Sequence, residues 1–393
     1  MDNRTQTYLS GRFKDYYANC RLTFDSDIAH REWGYIPFTT GNSPMIRHNS
    51  LKEIGDPQVF LQEENPRHVY ASASLYADPS ANNMDDKGWT GSDLIFDIDI
   101  DEDHLPEGYD QDDDLTYQEM LELSKEHLQR LISILDTDFG FQKQNLKIVF
   151  SGGRGYHVHI NSDDVRAFDS NARTKIVSYI KGIGVDIDSI LRSDWDRVGR
   201  KTTSKTNSFK PLHGWGTNIF ENYLTSLAQI ATLDKTDAIE NLQQINGIGP
   251  KRATQILSVI QDSPEQLYAG VVQQEFKPFI QHCIENTIKQ RYAEIDEPVT
   301  TDINRLIRVP GTLHGGHGLV VTELDHTMID EFQPLTDAVA DIFTRYSIAI
   351  DVTQPCELEF NGQSHSFSTG ETTVSEAVGI HLMCEGNAEK ASE

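Results

Sequence analysis

The sequence predicts an α+β protein: a mixed sheet with flanking helices, interrupted by a mainly helical subdomain. Three observations predict it. Short strand-like segments are separated by glycine-bearing turns, one long run has helical periodicity, and residues about 170–290 carry few strand signals. Residues 68–76 and 93–100 read as strands. From Tyr117 to Leu135 the apolar residues Met120, Leu121, Leu128, Leu131, Ile132 and Leu135 recur mainly three or four apart, which is a helical stripe. Leu146–Phe150 and His157–Ile160 read as strands joined by the turn Ser151–Gly155. Strand character returns near Leu306–Val309 and Gly318–Thr322, and a last helix is expected over roughly Val374–Ala388, before a polar tail. The expected organisation is a discontinuous core (1–170 and 285–350), a helical insert (171–284) and a C-terminal segment (351–393).

Composition narrows the function classes. Of 393 residues, 37% are hydrophobic, enough for a substantial core. No apolar run reaches the roughly 18 residues that a membrane helix needs, and the start shows no secretory h-region, so a cytoplasmic protein is expected. Cys20, Cys283, Cys356 and Cys384 lie far apart without a C-x-x-C pair, which argues against a disulfide scaffold, a thiolate zinc site or an iron–sulfur cluster. Net charge is −27, with 36 Asp, 25 Glu and only 16 Lys spread along the chain. That is an acidic, solubilising surface, and it also suits concentrated salt, where repulsion is screened over roughly 3 Å at about 1 M. Such a charge opposes nucleic-acid binding on average, so any binding must come from local clusters.

Asp93-Leu-Ile-Phe-Asp97-Ile-Asp99-Ile-Asp101 is the most informative segment. Its apolar residues make a buried strand, and Asp97 and Asp99, two apart, then share a face. Two carboxylates on a buried strand repel and lose hydration unless a cation lies between them, and hard oxygen ligands suit Mg²⁺ or Mn²⁺. A strand end fraying into water, with both groups hydrated, fits the same residues. A calcium loop does not, because Glu102 stands where the turn glycine is required and Gly108 where the closing Glu is required.

Ser151-Gly152-Gly153-Arg154-Gly155-Tyr156-His157 offers close backbone approach, a guanidinium fork and an imidazole to an anion. It is not a P-loop, and a plain hairpin turn is the competing reading. A phosphate cradle beside a carboxylate pair is the combination that nucleotidyl transfer requires.

These motifs, followed by Asp296 and by Arg305-Leu-Ile-Arg308-Val-Pro-Gly-Thr-Leu-His314-Gly, closely resemble the catalytic small subunit of archaeal/eukaryotic-type DNA primases. Arg31-Glu32-Trp33-Gly34-Tyr35-Ile36-Pro37-Phe38 and Ile46-Arg47-His48 are similar to that family's N-terminal motif, and the acidity is similar to that of its salt-adapted archaeal members. The resemblance, over about residues 10–325, implies a primase-type catalytic core that makes short RNA primers, with DNA primers as an option, on single-stranded DNA from ribonucleoside triphosphates or dNTPs. It implies Asp97, Asp99 and Asp296 as catalytic metal ligands for two Mg²⁺ or Mn²⁺ ions, with Asp302 as an alternative third carboxylate. It further implies Ser151, Arg154, His157, Arg308 and His314 as nucleotide-binding residues and Glu32 and Arg47 as supporting ones. The implied partner is a large primase subunit carrying an iron–sulfur cluster. Relatives often bear a Cys/His zinc knuckle after the first aspartates, but Asp101–Tyr117 contains no Cys and only His104, so no zinc is expected.

Two further segments bear on DNA. Residues 242–258, with Gly247-Ile248-Gly249-Pro250-Lys251, resemble a helix–hairpin–helix, whose turn amides meet a DNA phosphate; a purely structural turn is the plainer reading. Residues 192–213 gather Arg192, Arg197, Arg200, Lys201, Lys205 and Lys210 beside Trp195, Phe209 and Trp215, a stripe that suits a single strand or salt bridges to the acidic surface. A primase-polymerase of repair and end joining and a non-catalytic helix–hairpin–helix protein are the alternatives.

Overall fold

A computed structural model describes residues 1–38, 44–100, 105–106, 109, 115–198 and 201–392, with residues 193–198 and 201–206 described through their backbone alone. The chain divides into two compact units. The first comprises Met1–Gln129, Phe141–Val177 and Glu294–Glu393, and the second Arg130–Gly140 and Ser178–Ala293.

The first unit is built on two four-stranded antiparallel sheets. One runs in the order Leu306–Arg308, Pro66–Ser72, Trp33–Pro37, Ile46–Asn49. The other runs Thr322–Leu324, Lys147–Phe150, Tyr156–Ile160, Leu94–Ile98. Leu94, Ile95, Phe96 and Ile98 are buried, as are Ile148, Val149, Phe150, Tyr156 and Val158 beside them. A strand buried on both faces reads as a near-continuous apolar run, which is why this segment was recognisable. The strand near Gly318–Thr322 begins instead at Thr322, because Val320 and Val321 turn back to bond Ala338 and Thr312.

The last segment is richer in structure than its sequence suggests. Ser347–Val352 pairs with Gly370–Ser375 on one side and with Ala388–Lys390 on the other, so the expected polar tail is partly a strand. The helix between them, Glu376–Glu385, is buried over most of its length. Ser375 caps its start and Gly386, at φ 88°, ends it.

The second unit packs the helices Trp215–Thr232, Lys235–Gln243, Pro250–Asp262 and Lys277–Arg291 around Tyr223, Leu227, Ile256, Phe279 and Ile280. Two segments expected among helices, Leu191–Val198 and Lys201–Phe209, pair instead as antiparallel strands. Their sequence has too few apolar residues to show the strand alternation.

Candidate active site

Asp97 lies in the strand Leu94–Ile98, in register opposite His157 on the neighbouring strand. The His157 Nε2 is 3.5 Å from the Asp97 Oδ1. Between the strands, the Ser151–Gly155 turn is folded by its own serine. Ser151 Oγ accepts from the amides of Gly153 (3.2 Å) and Gly155 (3.3 Å), and the Ser151 amide donates to the Gly155 carbonyl at 2.9 Å. Two glycines are required by contact. A Cβ on Gly155 would fall 1.9 Å from the carbonyl oxygen of Ile98, so the turn lies directly on the end of the aspartate strand. Gly152, at φ +77°, would meet the Cβ of His314 at 2.8 Å.

These elements frame a cavity of about 550 Å³, lined by Asp97, Asp99, Ser151, Arg154, His157, Arg308 and His314, with Arg47, Arg305, Asp302 and His317 around it. Seven of the residues expected from the sequence therefore converge on one space, and Arg47 joins them. Asp296 is not among the residues lining the cavity, but its backbone amide donates to the Asp97 carbonyl at 2.8 Å. It starts the short helix Glu297–Thr301 without spending its carboxylate on the cap. Asp302 lines the cavity, and its Oδ1 accepts from the Asn304 amide at 2.9 Å.

Burial, then the charges of Asp99 and Asp296, push the Asp97 carboxyl up to about 8, against the opposing pull of Arg305 and Arg308. An Asp97 carboxyl so raised does not ionise readily near neutral pH without a cation, so the donor set fits a hard divalent ion. His157 is held neutral, its pKa lowered to about 3 by burial and by Arg308 and Arg305.

Arg308 is set by residues that the sequence reading missed. One guanidinium nitrogen donates to His68 Nδ1 at 2.8 Å, and the guanidinium lies 5.1 Å from the centre of the Tyr70 ring. His68 Nδ1 also accepts from the Gly315 amide at 3.3 Å, and burial with the adjacent Arg308 depresses its pKa to about 2. His314 is oriented in the same way. Its Nδ1 accepts from the Gly316 amide at 3.1 Å, so Nε2 carries the proton, and Nε2 faces Gly153 of the glycine turn. The signal for His68 and Tyr70 was weak: both sit on a strand that was recognised, but nothing local marked them.

Glu32 is fully buried. It accepts from Arg47 Nε (3.0 Å) and the His48 amide (3.0 Å), and Lys87 Nζ lies 3.6 Å away. Glu32 is thus an anchor behind Arg47, and Lys87 is a further residue that was missed. Gly247, Gly249 and Lys251 belong to the second unit. Gly247 takes φ +83°, Gly249 caps the helix Pro250–Asp262, and Arg252 bonds the Gly247 carbonyl, closing the turn. Of the basic stripe, the Arg192 guanidinium bonds Ser208, whereas the side chains of Trp195, Arg197, Lys201 and Lys205, and Arg200 altogether, lie outside the described residues. So does His104, with most of the segment where a zinc knuckle was sought.

The family model described as DNA primase small subunit matches residues 96–326. The DNA primase small subunit PriS of Haloarcula marismortui is 41% identical, with both chains covered in full. That of Natronomonas pharaonis is 42% identical, again over both full lengths, and that of Methanothrix thermoacetophila 34%, covering 99% of this chain and 100% of its own. With the aspartate strand, the glycine turn and the Arg308–His314 segment gathered on one cavity, this chain belongs to the DNA primase small subunit family.

Proposed function

We propose that this primase catalytic subunit synthesises short RNA primers on single-stranded DNA at the cavity bounded by Asp97, Asp99, Arg154 and Arg308. One observation carries the reading: a protein of net charge −27 sets Arg47, Arg154, Arg305 and Arg308 around a carboxylate cluster, the arrangement a nucleoside triphosphate and its metal ions require.

Asp97, Asp99 and Asp296 would hold the divalent ions, Mg²⁺ or Mn²⁺. When bound, such ions acidify the attacking 3′-hydroxyl and neutralise charge on the departing pyrophosphate. Arg154 forks onto phosphate oxygens from the glycine turn, and Ser151 retains its hydroxyl proton for the same anion. Arg308, held by His68 and Tyr70, meets developing charge without having to reorganise. His314 donates through Nε2, and neutral His157 steadies Asp97 from the adjoining strand. Glu32 keeps Arg47 at the cavity edge. In the second unit, the amides near Gly247 and Gly249, with Lys251, would contact a DNA phosphate. The reading places the chain in the cytoplasm, as a heterodimer with a large subunit bearing an iron–sulfur cluster; among the described residues no helix is long and apolar enough to cross a membrane.

Primer synthesis on single-stranded DNA with labelled nucleotides, Mg²⁺ or Mn²⁺ and near-molar KCl tests it, comparing wild type with Asp97→Ala. Products without a supplied primer, lost in the variant, are expected. Extension only of a supplied primer, with the large subunit present, would point to a repair polymerase.

A further inference from the structure

Beside the cavity, but outside its aspartates, His317, His381 and Glu385 bring three ligand atoms within 4.8 Å of one another. His381 and Glu385 are one turn apart on the helix Glu376–Glu385, so they share a face. His317 comes from the tight turn after His314, where the Gly318 amide donates to the His314 carbonyl.

The ring of His381 fixes the chemistry. Its Nδ1 is 2.8 Å from the carbonyl oxygen of His317, an atom that can only accept, so Nδ1 carries the proton. Nε2 of the neutral ring is then a lone pair. His381 is only 1% exposed, and Nε2 has no hydrogen-bond partner. It points at Glu385 Oε1, 3.4 Å away, which also has no proton to give as a carboxylate. Glu385 Oε1 in turn lies 3.0 Å from His317 Nδ1, while its Oε2 accepts from Asn387 at 3.2 Å. Two electron-rich atoms facing each other, that of His381 buried and that of Glu385 mostly so, repel unless a proton or a metal cation lies between them.

We infer that His317, His381 and Glu385 form a site for a borderline-soft divalent cation of the zinc type. A backbone-bonded Nδ1 that leaves Nε2 for the metal is how histidine ligands are oriented. At Zn–N and Zn–O distances of about 2.0–2.2 Å, tetrahedral ligand atoms stand about 3.3 Å apart, close to the His381–Glu385 separation. Two imidazoles and a carboxylate favour Zn²⁺ over Mg²⁺, and three protein ligands leave a fourth position for water. The sequence leads to an expectation of no zinc, because residues 101–117 lack a Cys/His knuckle; this site, assembled from residues 317–385, departs from that expectation. An ion bound there would tie the C-terminal helix to the turn that carries His314.

The test uses the full-length Asp97→Ala protein, which removes binding by the aspartates, stripped with a chelator and kept in near-molar KCl. Co²⁺ is titrated and its d–d absorption followed, then Zn²⁺ is added in competition. One equivalent of Co²⁺ should give the spectrum of a low-coordinate site and be displaced by Zn²⁺. Adding Glu385→Gln or His317→Ala, both milder than a change at buried His381, should weaken Zn²⁺ binding by at least about tenfold. Circular dichroism of the same samples reports whether the fold persists. Absence of a stoichiometric site in the folded Asp97→Ala protein would overturn the assignment. So would Zn²⁺ affinity unchanged by both added substitutions.

Discussion

The backbone amide of Asp296 donates to the carbonyl oxygen of Asp97 at 2.8 Å. That single bond joins the aspartate strand to a segment far along the chain and brings the charge of Asp296, with that of Asp99, to bear on the buried Asp97 carboxyl. The cost of ionising Asp97 in the absence of a cation is measurable.

Replacing Asp97 by Asn removes a group whose ionisation is opposed by burial and by Asp99 and Asp296. The metal-free D97N protein should melt at a higher temperature than metal-free wild type near pH 8, and both should be compared by calorimetry in EDTA. Adding Mn²⁺ should raise the wild-type midpoint and leave that of D97N nearly unmoved. Equal stabilisation of both by Mn²⁺ would take Asp97 out of the ligand set.

The same shift sets a pH dependence. Folded, metal-free protein keeps the Asp97 proton up to about 8, whereas the unfolded chain releases it near its ordinary value of 3.8. Between these values the native state binds more protons, so the Asp97 contribution lowers stability as pH rises and levels off above about 8. Divalent-ion binding at pH 7 should release a proton, detectable as a buffer-dependent heat in titration calorimetry. A heat independent of buffer ionisation enthalpy would contradict the raised pKa.

Gly155→Ala should damage stability and catalysis together. Its Cβ would overlap the Ile98 carbonyl, a backbone atom that cannot rotate away, so the turn or the strand carrying Asp97 must shift. Overpacking of this kind costs typically about 1–3 kcal/mol. A displacement of about 1 Å at the reacting groups is enough to lower turnover by roughly a hundredfold. Denaturant melts and steady-state kinetics would read the two effects; wild-type kcat with lowered stability would show that the turn position is not critical.

Lys87→Met should be among the most destabilising changes away from the cavity. Lys87 and Glu32 are both fully buried, and removal of Lys87 leaves the buried Glu32 charge with only Arg47 and the His48 amide. Breaking such a pair costs about 3–5 kcal/mol. Glu32→Gln added to Lys87→Met should recover part of the loss, because the residual charge goes with it. A double variant no more stable than the single one would mean that Arg47 and the His48 amide already satisfy Glu32 alone.

Much of the site was legible in the chain because its signals are local. Alternating apolar residues around Asp97 and Asp99 mark a buried strand, and the glycines of Ser151–Gly155 mark a turn that something approaches closely. The Arg305–His314 segment and its distance from Asp296 completed the resemblance. What stayed hidden was local in nothing. The strands Leu191–Val198 and Lys201–Phe209 are too polar for their alternation to show, and the C-terminal strands pair across intervals that composition does not signal.

The sequence by itself determined which carboxylates, basic residues and glycines recur at short spacing, since this depends on residue type alone. Only the tertiary structure decided their partners. It set His68 and Tyr70 against Arg308, buried Lys87 beside Glu32 and brought Glu385 to His317. The physical reason is that hydrogen bonds and ion pairs act over a few ångströms of space, whatever the separation along the chain.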